Sequence, residues 1–108
     1  MDRERKPPSH LEPATGLWWA STEAAYELAD HHLKLLTLAS EAWDRAMAAR
    51  AVLDEQGMTF TDRWGQPKAR PEVAIERDSR LAFARMLREL DLDAEPPTPA
   101  RQPPGVGR

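Results

Sequence analysis

Apolar positions recur at helical spacing over two long stretches of the chain, residues 30–56 and 71–92. Asp30 can cap the first amides of the earlier stretch, and Gly57 supplies a left-handed C-terminal stop. Pro71 suits the first turn of the later stretch, because its missing N–H has no partner there in any helix. The pattern therefore predicts two long helices.

The residues around these helices predict a shorter helix and a hairpin. A first helix is expected from about residue 13 or 17 to Leu28. Between the long helices, Met58 and Phe60 alternate with threonines, and Asp62–Gly65 has turn composition, which indicates a small β-hairpin at about residues 58–69. The predicted fold is mainly α, with a short N-terminal helix and two long antiparallel helices joined by the hairpin.

The long helix at 30–56 carries apolar residues on more than one side. Besides the stripe that includes Leu36 and Leu53, apolar side chains occur at other angles around the axis. A helix with so wide an apolar surface is buried on several sides. About 75 folded residues make only a marginal core, so we expect the chain to oligomerise through its helices. The candidate interface residues are Leu35, Leu38, Trp43, Trp64 and Phe83.

Both ends of the chain differ in composition from the centre. Residues 1–13 are rich in proline and charge, and residues 94–108 are rich in proline and glycine. Neither segment has enough apolar side chains to offset the entropy of ordering. The sequence predicts a disordered basic N-terminal tail at 1–13, a helical domain at 14–93 and a disordered proline-rich C-terminal tail at 94–108.

The composition also predicts a setting for the protein. The chain has no cysteine, which excludes disulfides, thiol catalysis and cysteine-bound zinc and suits a cytosolic protein. It has no apolar run long enough to span a membrane and no apolar stretch typical of a signal peptide. We therefore expect a soluble, cytoplasmic protein without a membrane partner.

Positive charge is concentrated in the N-terminal tail and the hairpin, although the formal net charge is -3. The arginines of the last helix alternate with acids, which is typical of a solvated face. The tail and hairpin have fewer compensating acids, so their cations are better placed to neutralise phosphates. The candidate DNA-binding residues are Arg3, Arg5, Lys6, Arg63, Lys68 and Arg70.

Tryptophan at the hairpin turn leaves two interpretations open. Trp64 is flanked by Arg63 and Lys68, so it could dock on a partner or insert into a groove. It could equally fold back onto the last helix. For the adjacent Trp18 and Trp19, we expect one side chain to fill the core while the other faces a partner.

Candidate catalytic and metal-binding groups are sparse. Neighbouring helical side chains diverge by about 100°, so His31 and His32 cannot chelate one metal together. The carboxylate pairs Asp54–Glu55 and Asp91/Asp93 have no nucleophile beside them in the sequence. We expect no metal, no cofactor and no enzymatic activity.

The ordered combination of these features resembles a known family. Residues 33–93, LKLLTLASEAWDRAMAARAVLDEQGMTFTDRWGQPKARPEVAIERDSRLAFARMLRELDLD, together with the upstream WWASTEAAYELADHHLKLL, resemble the short helix–hairpin–helix small terminase subunits of tailed double-stranded DNA phages and prophages. The resemblance covers residues 14–93. It implies a non-enzymatic packaging protein of the bacterial host cytoplasm. Such subunits form homo-oligomeric rings, recognise double-stranded phage DNA at the packaging site, and recruit and regulate the large subunit that holds the ATPase and nuclease.

One departure from related proteins bears on DNA recognition. Some small terminase subunits carry an N-terminal helix-turn-helix domain, whereas here only one short helix precedes the long helix, and the turn at residues 28–30 lacks glycine. DNA contact would then fall to the tail, the hairpin or the surface of a ring. The alternative interpretation is a small helical DNA-binding regulator or a protein-interaction adaptor without a packaging role.

Overall fold

A computed structural model describes residues 5–92, and this part of the chain contains three helices and a two-stranded antiparallel sheet. The elements are α1 (Pro13–Ala25), α2 (Asp30–Gln56), β1 (Thr59–Thr61), β2 (Pro67–Ala69) and α3 (Pro71–Leu90). The predicted mainly helical class with a small hairpin between the long helices is confirmed. α1 ends before Leu28, where the sequence predicted its end. The C-terminal tail predicted at 94–108 lies outside the described residues.

The two long helices run antiparallel, as cross-contacts along their length show. From one end to the other, the pairs are Arg50 with Glu76, Trp43 with Phe83, and Leu36 with Leu90. Residue numbers fall along α2 as they rise along α3, which requires opposite directions. Because the helices are adjacent along most of their length, the hairpin must project from the end at which α2 finishes and α3 begins.

Small side chains fill most of the buried face of α2. Four of its seven buried residues are alanines, at positions 39, 42, 46 and 49. Alanines let two helix backbones approach closely, so α3 packs along this face. The larger buried side chains gather at the end remote from the hairpin, where Leu11, Trp19, Leu36 and Leu90 form one cluster. α1 packs on α2 at this end.

Coverage of α2 by both α1 and α3 changes the argument for self-association. The wide apolar surface of α2 is largely buried within one chain, and Leu35 packs partly buried against the cluster around Leu36. Its breadth therefore does not by itself require a second copy. Oligomerisation remains a prediction. Among the candidate interface residues on α2, only the exposed Leu38 and Trp43 can still support it.

The segment before α1 packs more closely than the composition indicates. Leu11 is only 9% exposed, His10 Nε2 lies 2.8 Å from a Glu41 carboxylate oxygen, and the amide of Glu12 donates to Asp44 at 2.9 Å. Residues 5–12 thus differ from the disordered tail predicted for 1–13, of which 1–4 lie outside the described part. One buried leucine anchors the segment, and its prolines lower the entropy cost of ordering it.

An ion-pair network joins α2 and α3 near the hairpin. The carboxylate of Glu76, a residue only 9% exposed, contacts Arg50 at 3.4 Å and Arg80 at 3.0 Å. A hydrogen bond to Asp54, together with the charges of Asp54 and Glu76, raises the pKa of Arg50 above its usual value. Arg50 therefore stays charged, and Glu76 is held from both helices. This network fixes the base from which the hairpin projects.

Candidate nucleic-acid interface

The side chain of Asp62 builds the hairpin turn. One of its carboxylate oxygens accepts hydrogen bonds from the amides of Trp64 and Gln66, both at 2.9 Å, and its backbone carbonyl accepts from the amide of Gly65 at 3.0 Å. Gly65 has φ 79°, which only glycine adopts without strain. This turn followed by a left-handed residue is typical of a three-residue hairpin loop. The sequence-predicted hairpin thus has a specific local cause.

Strand register divides the hairpin into two unlike faces. Phe60 lies opposite Lys68 in the antiparallel pairing, and the amide of Arg70 donates to the carbonyl of Met58 at 2.8 Å. Side chains alternate between faces along a strand, so these residues share one face. The other face carries Thr59, Thr61, Pro67 and Ala69. One face of the hairpin therefore carries basic and large apolar side chains, and the other carries small side chains without charge.

The charge of the hairpin is positive and accessible. Asp62 is the single acid between residues 57 and 70, and one oxygen of its carboxylate accepts two amides of the turn. No residue described in the structure forms an ion pair with Arg63, Lys68 or Arg70. Lysine and arginine with no acidic partner can donate to phosphate oxygens. The hairpin therefore presents three available cations on a projecting element.

Two aromatic rings support two of these cations. The guanidinium carbon of Arg63 lies 5.0 Å from the centre of the Trp64 ring, and that of Arg70 lies 6.0 Å from the centre of Phe60. Both distances are within the range of cation–π attraction. The buried Nε of Arg70 has no hydrogen-bond acceptor within residues 5–92. Stacking restricts the two side chains while leaving their charge uncompensated.

The indole of Trp64 is exposed at the hairpin tip. Its exposed fraction is 75%, the highest among the large exposed apolar residues of the described chain. The sequence left open whether this ring folds back onto the last helix. In the structure the ring is exposed and does not pack on α3. An exposed tryptophan on a projecting turn is available to a partner.

The predicted DNA-binding residues of the N-terminal segment lie far from the hairpin. The Arg5 guanidinium donates to the carbonyl of Leu28 at 3.4 Å and lies 4.0 Å from Asp30, so it is partly compensated, whereas Lys6 is exposed. Arg3 is outside the described residues. The 27-residue length of α2 separates the two groups by about 40 Å. The structure thus brings together only Arg63, Lys68 and Arg70.

The adjacent tryptophans of α1 take different environments, as expected from their angle on a helix. Trp19 is 4% exposed, and its indole N–H donates to the hydroxyl of Thr37 at 3.1 Å. Trp18 is half-buried and its ring lies 6.1 Å from that of Phe83. Trp19 fills the core, and Trp18 lines a groove on the surface.

This groove collects two of the predicted interface residues. It is an open cavity of about 280 Å³, lined by Ala14, Thr15, Trp18, Trp43 and Phe83, and is called the aromatic groove below. Trp43 is 42% exposed and Phe83 is half-buried, with ring centres 5.2 Å apart. Leu38 is exposed elsewhere on α2. The five predicted interface residues therefore do not form one patch.

Sequence reasoning missed several contacts that shape these sites. The stacking of Arg70 on Phe60 follows from strand register, and a period-two count from the turn would have placed both residues on one face. The meeting of Trp18 with Phe83 leaves no sequence signal, because it depends on how α1 crosses the helical pair. The turn-building role of Asp62 was detectable, since aspartate before a Trp-Gly turn commonly accepts backbone amides.

The described part of the chain has neither a cluster of metal-binding side chains nor a membrane-spanning helix. Within residues 5–92, no three His, Asp or Glu side chains lie together as metal ligands do, and no helix has the length and apolarity that crossing a membrane requires. Comparisons of the chain with protein-family models, curated proteins and solved structures gave no match.

Proposed function

We propose that this chain is a non-catalytic DNA-packaging subunit of the small terminase type. In this role it binds double-stranded phage DNA at the packaging site, and it recruits and regulates a large ATPase-nuclease subunit. The observation that carries the proposal is the projecting hairpin with three uncompensated cations and two aromatic rings. The sequence resemblance supplies the packaging role.

The dimensions of the hairpin suit a DNA groove. Two paired strands are about 5 Å apart, and the major groove of B-DNA is about 12 Å wide and admits a two-stranded ribbon. Lys68 and Arg70 lie on one face of the ribbon, and Arg63 lies at its tip. In this mode the three cations contact phosphates and fix the position of the hairpin, which is how most protein–DNA hydrogen bonds act.

Self-association is the second part of the proposal. Leu38 is 51% exposed on α2, and Leu81 is 63% exposed on α3. Trp64 at the hairpin tip adds a large apolar surface remote from both. A ring of identical subunits would cover such scattered positions through a heterologous contact, in which different surfaces of the chain meet.

Two measurements on the full-length chain test the proposal. Native mass spectrometry gives the number of subunits, and fluorescence anisotropy with a labelled random-sequence duplex gives affinity at several salt concentrations. We expect a closed assembly of identical subunits and an affinity that falls steeply with salt. Absence of duplex binding at low salt would overturn the DNA-binding role. Duplex binding by a stable monomer or dimer would favour the regulator instead.

Recruitment of the large subunit needs its own measurement. A pull-down should use a large terminase subunit encoded beside this chain as the probe, with DNA removed by nuclease. Retention of the large subunit supports the packaging role. If a neighbouring large subunit is present but not retained, with or without DNA, the packaging role fails even when the chain binds duplex.

A further inference from the structure

The chain leaves α3 beside a track that leads to the aromatic groove. Asp91 ends the helix in the left-handed conformation, with φ 58° and ψ 40°, and its amide donates to the carbonyl of Leu87 at 3.0 Å. A left-handed residue at this position turns the chain away from the helix axis. Leu92, the last described residue, packs partly buried against the cluster that contains Trp19 and Leu90.

A second depression connects this exit point with the aromatic groove. It has a volume of about 570 Å³ and is lined by Trp18, Thr22, Tyr26, Leu87, Arg88, Asp91 and Leu92. Trp18 lines both cavities. The two depressions thus adjoin at Trp18, and a surface path leads from Leu92 past Trp18 to Phe83 and Trp43.

The residues that follow Leu92 have the composition that aromatic grooves bind. Residues 93–108 are DAEPPTPARQPPGVGR, with a Pro-x-x-Pro pattern at Pro96–Pro99. Proline-rich segments adopt the polyproline II conformation and dock on grooves lined with aromatic rings, because little entropy remains to be lost on binding. The aromatic groove is near the lower limit of about 300 Å³ for small-molecule pockets, and its open, shallow form suits an extended segment.

The chain between Leu92 and these prolines is long enough to reach the groove. From Asp91 back to Phe83 along α3 the distance is about 12 Å, since each helical residue rises 1.5 Å. Polyproline II advances about 3.1 Å per residue, so the four residues from Asp93 to Pro96 also cover about 12 Å. A segment of this length that returned along the track would bring Pro96 and Pro97 level with Phe83.

Charge near the exit point favours the same path. Arg88 lines the second depression, is exposed, and pairs with no acid among residues 5–92. Asp93 and Glu95, the first acids after the described residues, would pass it. Attraction between these acids and Arg88 would favour a path along α3 toward Trp18.

We propose that residues Pro96–Pro99 dock on the aromatic groove of the same chain and cover Trp18 and Trp43. The occupant is this chain's own segment, because the segment begins at the edge of the track and its length matches the span. Docking shields the rings of Trp18, Trp43 and Phe83 that line the groove. It leaves the hairpin free, so this inference stands independently of DNA binding.

Paramagnetic relaxation enhancement tests the proposal on the full chain. The chain has no cysteine, so Ala100→Cys gives a single site for a nitroxide label. The four tryptophan indole N–H signals are separate reporters in a ¹⁵N spectrum, assigned with single Trp→Phe variants. We expect loss of the Trp18 and Trp43 signals in the oxidised label and their recovery on reduction, while the Trp64 signal persists.

Two further samples separate this chain's own segment from other occupants. Replacing Pro96, Pro97 and Pro99 with alanine should weaken the signal loss at Trp43, the ring farther from Leu92, whereas the matched variant Pro103→Ala/Pro104→Ala should leave that loss unchanged. A mixture of spin-labelled chain without ¹⁵N and unlabelled ¹⁵N chain reports docking between copies, and here we expect no signal loss. Loss in the mixture, persistent signals in the labelled chain, or no effect of the three alanines would each overturn the proposal. Circular dichroism checks that every variant keeps its helices.

Discussion

Removal of the hairpin cations should flatten the salt dependence of duplex binding. The variant Arg63→Gln/Lys68→Gln/Arg70→Gln keeps much of each side chain's stem and removes three charges from one projecting element. For B-DNA, the slope of log K against log salt is about 0.9 per phosphate contact. If each cation neutralises one phosphate, the magnitude of the slope falls by about 2.7.

This slope has a large effect over an accessible range of salt. Between 50 and 200 mM, three contacts alone weaken binding about 40-fold, since the salt concentration changes fourfold. The variant should lose this part of the dependence, so its affinity differs most from that of the unmodified chain at low salt. Anisotropy titrations with a random-sequence duplex at four or more salt concentrations measure both slopes.

A matched variant separates the hairpin from the general effect of net charge. Lys34, Arg45 and Arg85 are exposed helical cations without ion pairs to residues 5–92, and replacing all three with glutamine removes the same charge. We expect this control to keep a slope close to that of the unmodified chain. Equal losses in both variants, or an unchanged slope in the hairpin variant, would refute the assignment of DNA contact to the hairpin.

Two stability predictions follow from burial and backbone conformation. Leu36 is fully buried, so Leu36→Ala should lower the free energy of unfolding, measured by urea titration, by about 2–5 kcal/mol. The control Leu38→Ala, at a residue that is 51% exposed, should lower it by about 1 kcal/mol or less. Equal losses in the two variants would contradict the described core. Gly65 has φ 79°, and a Cβ added there would meet nothing within 4 Å. The variant Gly65→Ala therefore introduces only backbone strain, of about 1–2 kcal/mol, and should speed amide hydrogen exchange in the hairpin. The control Gly16→Ala lies in α1, where an added Cβ makes ordinary contacts at 3.7 Å, and it should stabilise that helix by about 1 kcal/mol. If amide exchange in the hairpin of the Gly65→Ala variant were as slow as in the unmodified chain, the described turn at Gly65 would be wrong.

Local signals account for the parts of the fold that the sequence predicted well. The predicted stretch 30–56 coincides with α2, and Gly57 ends that helix, although its φ of 84° and ψ of 173° differ from the left-handed helical conformation that was expected. Asp30 is the first residue of the helix and not its cap, because Ala29 precedes the helix and no side chain caps it. Pro71 begins α3. The boundaries at Gly57 and Pro71 depend on the backbone preference of a single residue, and such preferences are visible without knowledge of the tertiary structure.

Contacts between distant segments account for what the sequence could not predict. Leu11 is a lone leucine among prolines and charges, and its burial depends on the cluster formed by Trp19 and Leu36. The end of α1 at Ala25 likewise has no proline or glycine to mark it. The separation of Arg5 from the hairpin cations required the lengths and directions of the helices. The sequence therefore identified the basic residues but not which of them lie close together in the fold.

The hairpin combines a fixed base with strands that bury little of their own surface. All six strand residues are exposed, and two-stranded hairpins are only marginally stable in water. Its ends are held instead, because β1 begins three residues after the last residue of α2 and β2 ends two residues before the first residue of α3. The helices therefore fix where the hairpin lies, while Asp62 fixes the turn. Binding that further orders the strands must offset their remaining conformational entropy. An element of this kind gains stability from its partner, which is the behaviour we infer for a DNA-contacting hairpin.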